Sequence, residues 1–158
     1  MARKKQVLNI LKGSWAATRI VVSYENKSFK EFPLNTSDDA YKMIINVWDK
    51  ESINIQEHFM AFFLNRKNKL IGYRLICSGT AHQCIIDVKL LTSLALHTMA
   101  SNVIIAHNHP SSILKPSKQD KEITEKIKSI LALIDVTLLD HFIVTEKAYF
   151  SFVEDGLL

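Results

Sequence analysis

Two imidazoles, a hydroxyl and a carboxylate fall within one short stretch of this chain, at His107, His109, Ser117 and Asp120. Those are the group types that hold a zinc ion and act on a carbonyl beside it. Asn102-Val103-Ile104-Ile105-Ala106, directly before His107, is a short apolar run rich in β-branched residues and predicts a buried strand. Side chains at i and i+2 of a strand point the same way, so both rings can converge on one ion while Asn108 faces elsewhere. Pro110 ends the strand, and the loop through Lys115-Pro116 delivers Ser117 and Asp120 to the start of a helix.

That helix is signalled by Ile123, Ile127, Ile130, Leu131 and Ile134 at helical period, with Lys121, Glu122, Glu125, Lys126 and Lys128 between them. Ser117 is then the N-cap. Asp120 is the third helical residue, where a carboxylate also gains from the helix dipole. A Ser-x-x-Asp ahead of such a run is a variant capping box, and capping by itself would account for both residues. With His-x-His just upstream, the same geometry aims Asp120 back at the imidazoles. Three protein ligands and an open fourth position make the catalytic zinc pattern, whereas structural sites are closed by four. A hydrolytic site also needs a proton acceptor beside its water, and Glu57 is the candidate. It heads the run Glu57 to Leu64, which is apolar enough to be a central strand. A carboxylate in that place is otherwise simply solvated.

Glu57 followed by His107-x-His109, seven residues, Ser117, two residues and Asp120 resembles the JAMM (JAB/MPN) metalloprotease-like signature. His107-Asn108-His109-Pro110-Ser111, Lys115-Pro116-Ser117, Leu138-Leu139-Asp140-His141 and Tyr149-Phe150-Ser151-Phe152 resemble the bacterial RadC branch, historically labelled a DNA repair family. The likeness runs from about Ser37 to Leu158, leaving residues 1–36 as an N-terminal extension and 37–158 as a RadC-like JAB/JAMM domain. It implies an α/β fold, a mixed β-sheet flanked by helices in the JAMM/cytidine-deaminase-like architecture. It also implies His107, His109 and Asp120 as ligands of Zn2+, Glu57 as general base, and Ser117 as the group that steadies the developing oxyanion. The expected activity is that of a metallopeptidase or isopeptidase, in which metal-activated water cleaves an amide bond of a protein or peptide.

The alternative is a non-catalytic or nucleic-acid-linked accessory factor that keeps the fold as a binding module. A metal-dependent nuclease ranks third, because phosphodiester chemistry usually recruits two ions and the ligands here suffice for one. The chain also departs from its relatives. They usually carry glycine where this chain has Ser112, so a different loop path after His109 is expected. The stretch Gly79-Thr80-Ala81-His82-Gln83-Cys84 looks shortened and altered, which would change substrate choice if it borders the cleft. Full-length RadC proteins place a helix-hairpin-helix module before this domain, and the residues ahead of Ser37 leave no room for one.

Composition agrees with a single domain: 158 residues at 47% hydrophobic can bury a full core, and 4 Gly and 3 Pro argue against long linkers. No apolar stretch approaches the length of a membrane span, and Val7 to Leu11 is too short for a signal peptide, so a cytoplasmic setting is expected. Net charge +4 permits nucleic-acid contact without requiring it. Basic residues gather at Arg3-Lys4-Lys5, Arg66-Lys67-Asn68-Lys69 and Lys115 to Lys128, but no aromatic platform interleaves them. Nucleic acid is therefore expected to bind at most non-specifically. The oligomeric state is not legible. Cys77 and Cys84 are too few for a disulfide framework and lack metal-pair spacing, which favours reduced core residues.

The elements that must position the site follow in order. A β-hairpin is expected from Thr18 to Leu34, then a helix capped at Thr36 or Ser37 with Ala40, Tyr41, Ile44, Val47 and Trp48 on one face. Strands are expected at Glu57 to Leu64, Leu70 to Cys77 and near Cys84 to Ile86, then a helix from Val88 to Ala100 capped by Asp87. The last pair, Val136 to Val144 and Ala148 to Phe152, joins across Thr145-Glu146-Lys147. Among the other histidines, His97 falls in a helical apolar pattern, and His58 and His82 lack a partner at ligand spacing. Asp140 and His141 are candidates to orient a metal ligand from a neighbouring strand, although a structural role is the commoner reading for such residues.

Overall fold

The computed structural model of this chain describes residues 34–81 and 84–158. The hairpin expected ahead of Leu34, together with His82 and Gln83, lies outside the described residues. The order is α1 (Ser37–Val47), β1 (His58–Leu64), β2 (Leu70–Ser78), α2 (Val88–His97), β3 (Asn102–Asn108), α3 (Lys118–Ala132), β4 (Thr137–Val144) and β5 (Tyr149–Ser151). The strands form one sheet in the order β2-β1-β3-β4-β5. Only β3 and β4 run parallel, and the crossover that a parallel pair requires is supplied by α3. The architecture is thus an α/β fold with a mixed sheet.

Both faces of the sheet are covered. Phe59, Ala61, Phe63, Val103 and Ile105 pack with Leu91 and Ala95 of α2 and with Ile127 and Leu131 of α3. On the opposite face Met60, Phe62, Leu64, Ile104 and Ala106 pack with Ala40, Met43 and Ile44 of α1. Cover on both sides explains why β1, His58 to Leu64, is buried at every position and reads as a continuous apolar run rather than an alternating one. The helices start where the sequence places them. Thr36 Oγ1 accepts from Asp39 N at 3.1 Å while the Asp39 carboxylate accepts from Thr36 N at 3.2 Å. Asp87 accepts from Leu90 N at 2.9 Å. Among the described residues no helix is long and apolar enough to cross a membrane.

Two expectations are corrected. Cys84 to Ile86 form no strand: Cys84 and Ile86 pack against the α2/α3 core while Ile85 is 84% exposed, so their apolar character serves wall packing, not a ladder. Cys77 and Cys84 are not free thiols but a disulfide, with Cα atoms 6.1 Å apart. The end of β2 carries one of them to the other, a proximity that the spacing of two cysteines does not reveal.

The connection after β3 bears on the loop path expected around Ser112. Ser112 N donates to His109 O at 2.8 Å, closing a turn, and Ser112 has φ 58°. The serine thus occupies a left-handed conformation that glycine reaches cheaply. Replacing Ser112 by Gly is expected to raise unfolding free energy by about 0.5–1 kcal/mol. Relief of the left-handed residue is worth roughly 1–2 kcal/mol, offset by about 0.4–1 kcal/mol from glycine's greater freedom in the unfolded chain. A β-branched Val there is expected to destabilise, and urea midpoints of both variants measure the effect.

Candidate metal centre

Alternation along β3 decides which side chains reach the site. Val103 and Ile105 join the core beneath α2 and α3, and His107, two residues on, lies opposite Phe59 on the same face. Burial leaves His107 1% exposed. Its Nε2 is 3.0 Å from His109 Nε2 and 3.3 Å from Asp120 Oδ1, and His109 Nε2 is 3.6 Å from Asp120 Oδ2. Among the described residues this is the one group of three or more potential His, Cys, Asp or Glu ligands gathered so closely, with ligand atoms within 4.8 Å of one another.

The donor set fits zinc. Ligand atoms roughly 2.0–2.1 Å from a tetrahedral ion stand about 3.4 Å apart; the two imidazole nitrogens lie 3.0 Å apart and face different oxygens of the Asp120 carboxylate at 3.3 and 3.6 Å. His109 Nδ1 is 2.7 Å from the carbonyl oxygen of Ile113. A carbonyl can only accept, so Nδ1 carries the proton and the Nε2 lone pair faces the cluster.

Asp120 is both a cap and a cluster member. Asp120 N donates to Ser117 Oγ at 3.1 Å, and Ser117 N donates to Asp120 Oδ2 at 2.6 Å. The capping box therefore fixes the carboxylate's direction, and the two readings of these residues hold together. Burial works to raise the Asp120 pKa, but the neighbouring imidazoles of His107 and His109 outweigh it and hold the carboxyl well below its ordinary range. The same contact with Asp120 raises the His109 pKa.

Glu57 and Ser117 line a cleft of about 430 Å3 together with the three clustered residues. Glu57 immediately precedes β1 and is paired into the sheet by its backbone, donating to Thr80 O and accepting from Gly79 N, both at 2.8 Å. Half-burial pushes its carboxyl upward; the charges of His107 and His109 oppose that and Asp120 adds to it. The described residues of the stretch after β2 border the cleft: Ala81, Cys84, Ile85 and Ile86 line it, and Cys84 is fastened to β2 by the disulfide.

The model of a family described as the RadC-like JAB domain matches residues 34–157. This chain belongs to the RadC-like JAB domain family. A UPF0758 protein of Flavobacterium johnsoniae is 45% identical over 101 residues, covering 64% of this chain and 44% of that protein. One from Streptococcus equi subspecies zooepidemicus is 38% identical over 121 residues, covering 77% of this chain and 52% of its own. A third, from Leptothrix cholodnii, is 41% identical over 102 residues, covering 65% and 46%. The chain spans about half the length of the curated relatives it matches.

In this RadC-like domain the two candidate orienting residues separate. His141 is fully buried on β4 with Nε2 2.8 Å from His107 Nδ1. Asp140 instead accepts from Ser151 Oγ at 2.6 Å, from His141 N at 2.7 Å and from Val153 N at 3.1 Å, so its carboxylate ties down the segment after β5. His58 lies buried on β1, and His97 pairs with Ser93 Oγ at 3.1 Å at the end of α2.

Two residues of consequence escape a reading of the sequence. Asn108, pointing to the α1 side, donates to Ile53 O at 2.6 Å and Gln56 O at 2.9 Å and accepts from His58 N at 2.7 Å. It thereby holds the backbone on both sides of Glu57. Thr124 sits 2.6 Å from His141 Nδ1. The signal the sequence offers is a hydroxyl residue one turn beyond Asp120 on the stripe of Ile127 and Leu131, and its burial shows only in the structure.

Zinc loading is expected to reach one ion per chain by elemental analysis, and His109→Ala is expected to abolish it. Ligation needs neutral imidazole, so protons compete for the site. Because the His109 pKa is raised, zinc affinity measured by chelator competition is expected to fall with decreasing pH from a higher pH than an unperturbed histidine, near 6.5, would set.

Proposed function

We propose that this domain is a zinc-dependent hydrolase of the JAMM type that cleaves an amide or isopeptide-like bond in a protein or peptide. The observation that carries the reading is the convergence of His107, His109 and Asp120 in an open cleft that Glu57 and Ser117 also line. Membership of the JAB superfamily, which includes JAMM metallohydrolases, supports it. His107, His109 and Asp120 would hold the ion. Zinc, when bound, supplies Lewis acidity that lowers the pKa of water from about 15.7 toward roughly 7 and polarises a carbonyl.

The chain's own residues do the rest. Burial keeps Glu57 more basic than a solvated carboxylate, which suits it to take a proton from the attacking water and return it to the leaving amine. Ser117 Oγ already accepts the Asp120 N–H, leaving its own O–H to donate to the oxygen on which negative charge develops. Phe59, Ile86 and Ile123 give the cleft apolar lining that strengthens these polar contacts. Glu57→Gln is expected to retain zinc and fold while losing hydrolysis of a cleavable peptide or isopeptide substrate by roughly 10²–10⁴-fold. Wild-type cleavage by that variant would refute the assignment.

Nucleic acid is at most a non-specific partner in this reading. The net charge of +4 supports weak attachment to any polyanion, and such phosphate contacts weaken steeply as salt rises. Titration of labelled single- and double-stranded DNA is expected to give a dissociation constant weaker than about 1 μM at physiological salt. Replacing His107 or His109 is expected to leave it unchanged. Structure- or sequence-selective binding that survives that salt would favour the accessory-factor reading instead.

A further inference from the structure

We propose that Thr124 and His141 are positioning residues that set the tautomer of His107 and tie it to the backbone of Asp120, so that two residues from separate elements are presented as one unit. The inference rests on the reading of His107, His109 and Asp120 as a cation site. Its starting point is a proton that can go only one way. Thr124 Oγ1 lies 2.5 Å from the backbone carbonyl of Asp120. A carbonyl has no proton to give and a hydroxyl has one, so Thr124 donates there and its lone pairs are left for other partners.

His141 Nδ1, 2.6 Å from the same Thr124 oxygen, must then be the donor in that contact. Both ring nitrogens of His141 are engaged, one by Thr124 and one by His107, and the ring is wholly enclosed. A neutral imidazole with its proton on Nδ1 offers a lone pair on Nε2. That lone pair faces His107 Nδ1 at 2.8 Å, so His107 carries its proton on Nδ1. Its Nε2 is left bare, directed at His109 and Asp120. The orientation of the hydroxyl on α3 thus propagates through β4 to the lone pair presented by β3.

Packing holds the relay in register. The His141 ring stacks on Phe152 at 4.6 Å between centroids and meets Phe59 edge-on at 5.7 Å, which opposes a ring flip. Thr124 is 2% exposed, so no solvent competes for its hydroxyl. Reversing the relay would put a proton on His107 Nε2 and remove it as a ligand, while leaving the Thr124 hydroxyl and Asp120 carbonyl oxygens 2.5 Å apart with no proton between them.

The test uses the full chain labelled with 15N in its imidazoles, with zinc as the probe. In wild type, two-bond 1H–15N spectra are expected to show Nδ1–H tautomers for both His107 and His141. Thr124→Val keeps the shape but removes the hydroxyl, and is expected to weaken zinc binding 10–100-fold and to shift the His141 tautomer toward Nε2–H. Thr124→Ser is expected to restore both. A His107 Nε2–H tautomer in the wild-type protein, or unchanged tautomers and zinc affinity in Thr124→Val, would overturn the proposal. If Thr124→Val does not fold, the wild-type tautomers and the Thr124→Ser affinity decide it. Failure of the hydrolase reading is separate: it appears as absent cleavage, with the tautomers and the relative zinc affinities still scoring the relay.

Discussion

The site depends first on the pleat of β3. Because the strand is buried against helices on both faces, its register is fixed, and a slip of one residue would exchange the two sets of side chains. One set, Val103, Ile105 and His107, lies toward α2 and α3. The other, Ile104, Ala106 and Asn108, lies toward α1. Both contribute to the chemistry. The first ends in an imidazole facing the start of α3, and the second ends in the amide that anchors the chain around Glu57. One face of a single strand thus supplies a group proposed to bind a cation, and the other face holds in place the segment that carries the group proposed to move a proton.

Electrostatics then makes the cluster more than a packing event. Two imidazole nitrogens 3.0 Å apart with bare lone pairs repel each other, and a cation held between them and the Asp120 carboxylate would relieve that repulsion. The raised His109 pKa and lowered Asp120 pKa express the same demand for positive charge. Half-buried polar groups of this kind cost desolvation energy that neighbouring interactions must offset. Here the capping box of α3 contributes: Asp120 would be stabilising at that helix position even without the histidines, so its place in the cluster adds to a local structure already favoured.

How much of this was legible follows the range of the interactions. Caps at Thr36, Asp87 and Ser117, the periodicity of α3 and the apolar run of β1 are local signals, and the elements formed where those signals stand. The gathering of His107, His109 and Asp120 was legible because strand alternation and a helix cap are themselves local geometry. Contacts across long sequence separations were not. Nothing in the spacing of Cys77 and Cys84 says that the end of β2 comes back beside the wall segment, and Cys84 to Ile86 show an apolar pattern that wall packing satisfies as well as a strand would. Asn108 is a polar residue at a strand end until the loop from Ile53 to Gln56 is seen lying against it. Asp140 and His141 are adjacent in sequence, yet only the arrangement of β3, β4 and β5 separates them into one residue beside the cluster and another holding the C-terminal segment. Ser112 carries a different lesson: its left-handed conformation, φ 58°, belongs to the turn that it closes and is not announced by its residue type.

The two sides of the cleft are built to different standards of rigidity. The cluster side consists of a buried strand end, a capped helix start and a turn that locks His109 through Ile113, each over-determined by hydrogen bonds. The opposite wall, Ala81 and Cys84 to Ile86, belongs to neither helix nor strand and is fastened to the sheet by one covalent link. Groups that act on a reacting bond must hold their positions to within about 0.5 Å, whereas a surface that selects among substrates tolerates variation in sequence and length. On the hydrolase reading, differences in substrate choice should therefore concentrate in the wall after β2, while substitutions around Thr124, Asn108 and His141 should act on the geometry of the cluster and of Glu57.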